Sequence, residues 1–218
     1  MMFKVDLHTH SEDSHDGGIT QQQYMKALDK NLLDYIAVTD HNSIDFATRL
    51  KSELGERIIV GEEIMSSAGE IIGLYLSKVV MAGLTPRETI RQIKDQNGLV
   101  YIPHPFETIR KGLHPSITEE LLEFIDIVEV CNGRAFLQNR SQQAVVWAKL
   151  NDVETAASSD AHGYRGLGKT YTMLDSEPTQ SSLKEQFATG KLITDRPSIR
   201  ALLYPKYHKI RRRIKRAS

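Results

Sequence analysis

Cysteine is almost missing from this 218-residue chain, in which Cys131 stands alone. An internal disulfide and any cysteine-built zinc knot are thereby excluded, so a metal, if one is held, is held by His, Asp and Glu. Long apolar runs are missing too. No stretch approaches 18 consecutive apolar residues, so no membrane span is expected, and the N-terminus reaches its Asp and His residues too early for a signal peptide. The expectation that follows is a cytoplasmic protein. Net charge is also lacking, with 28 basic residues against 28 acidic ones, but the balance hides an asymmetry. Residues 206–218 hold seven Lys/Arg and no acid, which leaves 21 basic and 28 acidic residues in the preceding 205. Such a tail fits nucleic acid or an anionic membrane surface as a partner, or a solvated extension against the acidic body.

What is present suits one compact domain. The hydrophobic content is 40 % and no internal repeat or low-complexity linker interrupts the chain, so the organisation expected is one domain over 1–205 and a basic tail over 206–218. Apolar strand-like runs near 3–8, 35–39, 57–61, 71–76, 98–103, 126–130, 153–158 and 170–174 alternate with helical patterns, the signature of repeated βα units and a parallel sheet. Thr85-Pro86-Arg87-Glu88 reads as a capping box with proline at the first helical position, and Asn97-Gly98 as the end of that helix. The same signal recurs at Ser116–Glu119 and Ser182–Glu185. A long helix is expected from about Ala135 to Leu150, with Ala144, Val145 and Ala148 inward.

The chemistry gathers at the ends of these strands. In Val5-Asp6-Leu7-His8-Thr9-His10 the two imidazoles stand at i and i+2, so in a strand both project to one side, with Asp6 one step behind. The polar loop that follows ends in Gly17-Gly18, and Asp16 is placed to curl back over the strand ends, with His15 and Asp13 competing for that role. Val38-Thr39-Asp40-His41, Ile102-Pro103-His104-Pro105 and Ser158-Ser159-Asp160-Ala161-His162 repeat the pattern. After Ile58-Ile59-Val60-Gly61 comes the pair Glu62-Glu63, of which Glu63 is the candidate bridge between two cations. In a parallel β/α barrel the C-terminal strand ends form the face where active sites are built. His8, His10, Asp16, His41, Glu63, His104, Asp160 and His162 are therefore the candidate ligands, and an N/O set without sulfur favours zinc, manganese or iron over calcium.

The motifs Asp-Leu-His-Thr-His-Ser (6–11), Thr-Asp-His (39–41), Gly-x-Glu (61–63), Pro-His-Pro (103–105) and Ser-Asp-Ala-His (159–162) resemble, in order, those of the polymerase-and-histidinol-phosphatase (PHP) family. The resemblance covers roughly residues 3–175. It implies an α/β fold, a distorted TIM-like (βα)7 barrel in a single domain, holding two or three divalent metal ions and hydrolysing phosphate esters. It further implies that His8, His10, Glu63 and Asp160 hold one metal, that Asp16, His41 and His162 hold another, and that Glu63 and His104 share a third. One departure stands out. Many three-metal relatives carry a histidine in the hairpin after the Glu motif, where this chain reads Gly69-Glu70-Ile71-Ile72; either Glu70 substitutes or that metal is weakly held or absent.

Hydrolysis at such a site needs no side-chain nucleophile, because divalent ions supply activated water at neutral pH and neutralise phosphate oxygens. Asp40 and Arg134 are the candidate catalytic side chains: Asp40 to fix an imidazole or protonate a leaving group, Arg134 as the clamp on phosphate. Arg110, Lys111, Asn132, Arg134 and Arg165 all follow strand ends and are the candidate substrate-binding residues. The function expected is a metal-dependent phosphoesterase acting on a small phosphorylated metabolite or nucleotide. A nuclease that trims oligonucleotides or their 3′ ends, with the basic tail as a nucleic-acid arm, is the alternative. A non-catalytic metal-binding regulatory module is the second alternative.

Overall fold

The structure, a computed structural model, describes residues 2–135, 138–195, 197–206 and 208. The expected basic tail therefore lies outside the described residues except for Lys206 and His208. In chain order the elements are β1 (Phe3–Asp6), α1 (Gln21–Asp29), β2 (Tyr35–Val38), α2 (Asp45–Leu54), β3 (Ile58–Ser66), β4 (Gly69–Leu74), α3 (Pro86–Lys94) and β5 (Leu99–Ile102). They continue with α4 (Pro115–Glu120), β6 (Ile127–Asn132), α5 (Ser141–Asn151), β7 (Glu154–Ser158), β8 (Thr170–Leu174), α6 (Leu183–Phe187), β9 (Lys191–Thr194) and α7 (Ile199–Leu202).

The strands form one mixed sheet in the order β7-β6-β5-β4-β3-β2-β1-β8-β9. β1, β2 and β3 pair in parallel, as do β5, β6 and β7, but β4 runs against both its neighbours and β8 against both of its own. The sheet is thus a nearly closed barrel of nine strands with two reversed, and the all-parallel arrangement and the count of seven βα units are not what the described residues show. β4 reverses because only the two residues Ser67 and Ala68 separate it from β3, a connection that permits a hairpin and not a crossover. Closure comes from side chains and a bridge. The Thr172 hydroxyl of β8 donates to the Ala157 carbonyl (3.1 Å) and accepts from the Ala157 amide (2.9 Å), and beyond β1 the bridge Thr9–Ala161 joins the two ends at the rim.

Alternation along each strand sorts its residues into two apolar layers. Val5, Ala37, Ile59, Ile72, Tyr101 and Ile127 fill the barrel interior, closed below by Leu183 and Phe187 of α6. Ile36, Val38, Ile58, Val60, Val100 and Val128 face outward against Leu50, Ile90, Ile93 and Ala148 of the surrounding helices. The caps are unequal. Thr85 accepts from the Glu88 amide while Glu88 accepts from the Thr85 amide, as the sequence implies, and Asn97 takes the left-handed conformation. The other two S-x-x-E signals differ. Pro115 starts α4 with His114 as its cap, so Ser116 already lies inside the helix, and the Ser182 hydroxyl is occupied by Thr179 and Gln186. α5 begins six residues later than expected, and Val145 is exposed on it.

Candidate metal centre

The barrel mouth holds all eight candidate ligands, through three local devices. The first is a break in β1. Leu7 belongs to the interior layer, yet Thr9, two residues on, turns its hydroxyl outward to Tyr24 of α1 (3.0 Å). Alternation therefore slips by one between them, which brings His8 and His10 inward and separates them from Asp6. The Asp6 carboxylate instead accepts the amides of His8 (3.4 Å) and Ser159 (3.0 Å), stitching β1 to the end of β7. The second device is Gly17. A Cβ there would stand 2.3 Å from the Ser11 carbonyl oxygen, so only glycine lets the loop fold back far enough to deliver Asp16. The third is left-handed backbone at His104 (φ +27°) and Asp160 (φ +50°), conformations that cost about 1–3 kcal/mol each and concentrate at functional sites.

Glu63 sits at the centre. Its Oε1 lies 3.4 Å from His8 Nε2 and 3.1 Å from His104 Nε2, while its Oε2 lies 3.3 Å from His10 Nε2 and 3.2 Å from His41 Nδ1. Each oxygen thus serves a different pair of imidazoles. Asp16 Oδ1 is 3.5 Å from His41 Nε2 and 3.3 Å from His162 Nε2, and Asp160 Oδ1 is 3.7 and 3.5 Å from His8 and His10. Among the described residues four groups converge closely enough to share an ion: His8, His10 and Glu63; His8, His104 and Asp160; His10, Asp16, His41 and His162; and His41, Glu63 and Glu70. The groups overlap at His8, His10, His41 and Glu63; Asp16, His41 and His162 come together as the resemblance implies, with His10 added, and Glu63 is shared between groups.

The chemistry of this donor set fits divalent cations. His8 Nδ1 meets the acceptor Glu129 (3.2 Å) and His162 Nδ1 meets the Asp160 carbonyl (2.9 Å), so both rings carry a proton on Nδ1 and turn Nε2 into the mouth. Burial lowers the His8 pKa, but the facing Asp160, Glu63 and Glu129 charges outweigh it and hold it well above the ordinary imidazole value. The His8 and His10 Nε2 atoms then stand 3.1 Å apart. Burial, together with the neighbouring His162, depresses the His10 pKa to about 3, keeping that ring a neutral donor. Burial beside the Glu63 charge pushes Glu70 up to about 9. Glu63 itself is held well below the carboxylate range: burial opposes this, and the facing His8 and His41 imidazoles outweigh it. Crowded lone pairs and carboxylates of this kind are relieved by cations.

Glu70, the candidate substitute for the hairpin histidine, and Glu129, which no motif singles out, both stand at the centre. β4 enters the barrel at the mouth, so its alternation puts Glu70 at the rim and Ile72, two residues on, in the apolar interior. Glu70 Oε2 is 3.7 Å from His104 Nε2 and Oε1 is 3.9 Å from His41 Nδ1. Asp13 is turned away to Arg49 (2.6 Å), and His15 stands exposed at the rim.

The other site candidates divide. A mouth cavity of about 640 Å³ is lined by Asp16, His41, Glu63, Glu70, His104, Asp160 and His162, with Arg110, Lys111 and Arg134 reaching it. Asp40 does not reach it. Both its oxygens are taken by Ser11, through the amide at 2.7 Å and the hydroxyl at 2.5 Å, so it fixes a loop and no imidazole. Asn132 is equally committed: Oδ1 accepts from Arg110 and the Arg134 amide, and Nδ2 donates to Glu129 and Asp160. Arg165 is exposed in a different cavity on the barrel flank, beside Gln23 and Tyr204.

Comparison with known proteins points the same way. A family model described as PHP-associated matches residues 139–192. The uncharacterized protein MJ1587 of Methanocaldococcus jannaschii is 32 % identical over 157 residues, covering 66 % of this chain and 92 % of that one. Its uncharacterized compatriot MJ0417 is 31 % identical over 205 residues, covering 88 % and 81 %. Among solved structures, a two-domain Bacteroides vulgatus protein containing a predicted PHP-like metal-dependent phosphoesterase superposes with a TM-score of 0.72 at 20 % identity, over 96 % of this chain and 70 % of that one. The lesion-specific endonuclease PfuEndoQ of Pyrococcus furiosus gives 0.61 at 14 % identity, over 88 % and 58 %. Ordered motifs, a barrel mouth crowded with imidazole and carboxylate, and these likenesses together make the chain a member of the PHP family.

Proposed function

We propose that the protein is a metal-dependent phosphoesterase that hydrolyses a small phosphorylated metabolite or nucleotide, with His8, His10, Asp16, His41, Glu63, His104, Asp160 and His162 as ligands to two or three ions of zinc, manganese or iron. The observation that carries this reading is Glu63, whose two oxygens each face a separate pair of imidazole nitrogens. Glu70 completes a third group with His41 and Glu63, taking the place of the hairpin histidine. When bound, divalent ions supply Lewis acidity toward phosphate and water activated at neutral pH.

The chain's own residues then bind and orient the ester. Arg134 Nη1 contacts Asp160 Oδ1 (3.2 Å) and the His162 ring, at the cavity wall where a phosphate would pair with it. Lys111 adds a second cation from the opposite loop, its backbone fixed by the Glu70 amide on its carbonyl (2.9 Å). The walls are polar and charged, which suits an ionic substrate.

A cytoplasmic setting belongs to the same reading; no helix among the described residues is long and apolar enough to cross a membrane. The test is phosphate release from a panel of monoesters and short oligonucleotides by protein stripped with chelator and reloaded with Mn²⁺ or Zn²⁺, beside His8→Ala. Release that needs the metal and is lost in the variant supports the hydrolase, and which substrate turns over separates the metabolite phosphatase from the nuclease. Tight metal binding with no release from any substrate would favour the regulatory module instead.

A further inference from the structure

Glu129 is buried in the middle of the apolar run Ile127-Val128-Glu129-Val130, behind the candidate ligands and outside the mouth cavity. A carboxylate offers about four lone-pair sites, and here four donors meet them. Oε1 accepts from His8 Nδ1 (3.2 Å) and the Tyr101 hydroxyl (2.9 Å); Oε2 accepts from the His104 amide (2.6 Å) and Asn132 Nδ2 (2.8 Å). The Asn132 amide is oriented by Arg110 and the Arg134 amide on its oxygen, and its nitrogen also reaches Asp160 Oδ2 (3.3 Å). One side chain therefore touches His8 and His104 and stands one residue from Asp160. These three form one of the four ion-sized groups.

The backbone is built for this. Glu129 and Asn132 are three apart and would point to opposite faces of a regular strand. The pairing of β6 with β7 shifts between Glu129 and Cys131, placing two residues of β6 against one step of β7, and this bulge returns Asn132 to the interior side beside Glu129.

We propose that Glu129 is the positioning residue of the inner metal position, the one bounded by His8, His104 and Asp160, holding His8 in the Nδ1–H form, fixing the His104 backbone and reaching Asp160 through Asn132. The proposal rests on the metal-dependent reading above. It goes beyond it in assigning to one residue outside the ligand set the organisation of the inner position, which shares His8 with the His10–Glu63 group, and not of the outer one: none of the four side chains of the outer group, His10, Asp16, His41 and His162, bonds to Glu129.

The test uses the full chain, stripped with chelator and titrated with Mn²⁺ or Zn²⁺, with bound ions counted by equilibrium dialysis and elemental analysis. Glu129→Gln keeps the shape but turns an amide NH₂ onto two donors whichever way it flips. The expected result is a 10–100-fold weaker affinity for one class of ion and an unchanged affinity for the rest. Equal loss from every class would make Glu129 a structural residue only, and unchanged binding throughout would also overturn the proposal. If Glu129→Gln shows no cooperative unfolding by circular dichroism, Asn132→Ala is read instead: it cuts the link from Glu129 to Asp160 and frees Arg110 and the Arg134 amide from the Asn132 oxygen, but leaves His8 and His104 on Glu129, so a several-fold loss confined to the same class is expected, and no loss there overturns the proposal. A wild-type chain that binds no ion overturns the metal-dependent reading itself, whereas a wild-type chain that binds ions as the variants do overturns only the role of Glu129.

Discussion

Arg110 and Arg134 both reach Asp160, yet their surroundings predict opposite consequences for their loss. The Arg110 guanidinium contacts Glu107 twice (2.9 and 2.7 Å), Asn132 (2.5 Å) and Asp160 (2.8 Å), and its side chain is 14 % exposed. Arg110→Met leaves the buried Glu107 carboxylate without its cation and Asp160 with Arg134 as its remaining arginine. Breaking a buried pair in this way costs roughly 3–5 kcal/mol. At about 2–4 °C per kcal/mol for a chain of this size, the melting temperature of the chelator-treated protein falls on the order of 10 °C. Arg134 makes one ion pair at 3.2 Å and a contact with the His162 ring, and its side chain is 24 % exposed. Arg134→Met is expected to shift the melting temperature by only a few degrees but to lower kcat/KM for a phosphate ester about 10–100-fold, the value of a charged hydrogen bond to substrate. Thermal unfolding of both variants with and without Mn²⁺, followed by steady-state kinetics, reads the two effects separately. An Arg110→Met protein with an unchanged melting temperature and a raised KM would refute the division and return Arg110 to the substrate.

Three further outcomes are expected. Gly17→Ala pushes a Cβ into the Ser11 carbonyl, so the Asp16 loop shifts and dialysis should show weakened ion binding at the outer group while β-sheet circular dichroism is retained. Glu70→Ala removes one of the two carboxylates of the group with His41 and Glu63, and the number of ions bound should fall by one; an unchanged count would mean that Glu70 is no ligand. Glu62 faces outward from β3, accepts the Val80 amide on one oxygen and has no hydrogen-bond partner on the other among the described residues, and burial raises its pKa from 4.5 to about 7. Since the unfolded chain gives up this proton near 4.5 and the folded chain only near 7, stability falls as pH rises between those values, by about 3 kcal/mol in all. Glu62→Gln, which imitates the protonated form, should flatten the pH dependence of the urea midpoint between pH 5 and 8; parallel slopes in the two proteins would exclude the effect.

Most of the candidate ligands were legible because they follow a strand end, where a short apolar run stops and a His or carboxylate comes next, and the architecture converts that position in sequence into one place in space; Glu63 lies within β3, and Asp16 is brought back by the Gly17 loop. The break at Leu7–Thr9 was not legible, although the face of His8 and His10 depends on it, because a two-residue alternation carries no record of a slip in pairing. Glu70 was open only as one of two alternatives for a related reason. It stands at the start of its strand, and only the reversal of β4 makes a strand start part of the mouth. Arg134, the preferred clamp, and Arg165 both follow strand ends as candidate substrate-binding residues, and they part in where the loop turns, which local pattern does not encode.

Glu129 did leave a signal. An acid enclosed by Ile127, Val128 and Val130 is carried into the core by its neighbours, and an ionised carboxylate persists there only if donors meet it. Despite burial, facing His8 holds its pKa below the ordinary value, so the donors outweigh the desolvation. An acid within an apolar strand is thus a request for partners that sequence alone leaves unanswered. Here the partners are the His8 ring nitrogen, the Tyr101 hydroxyl, the His104 backbone amide and the amide of Asn132, and they connect the sheet's interior to the side chains at its mouth.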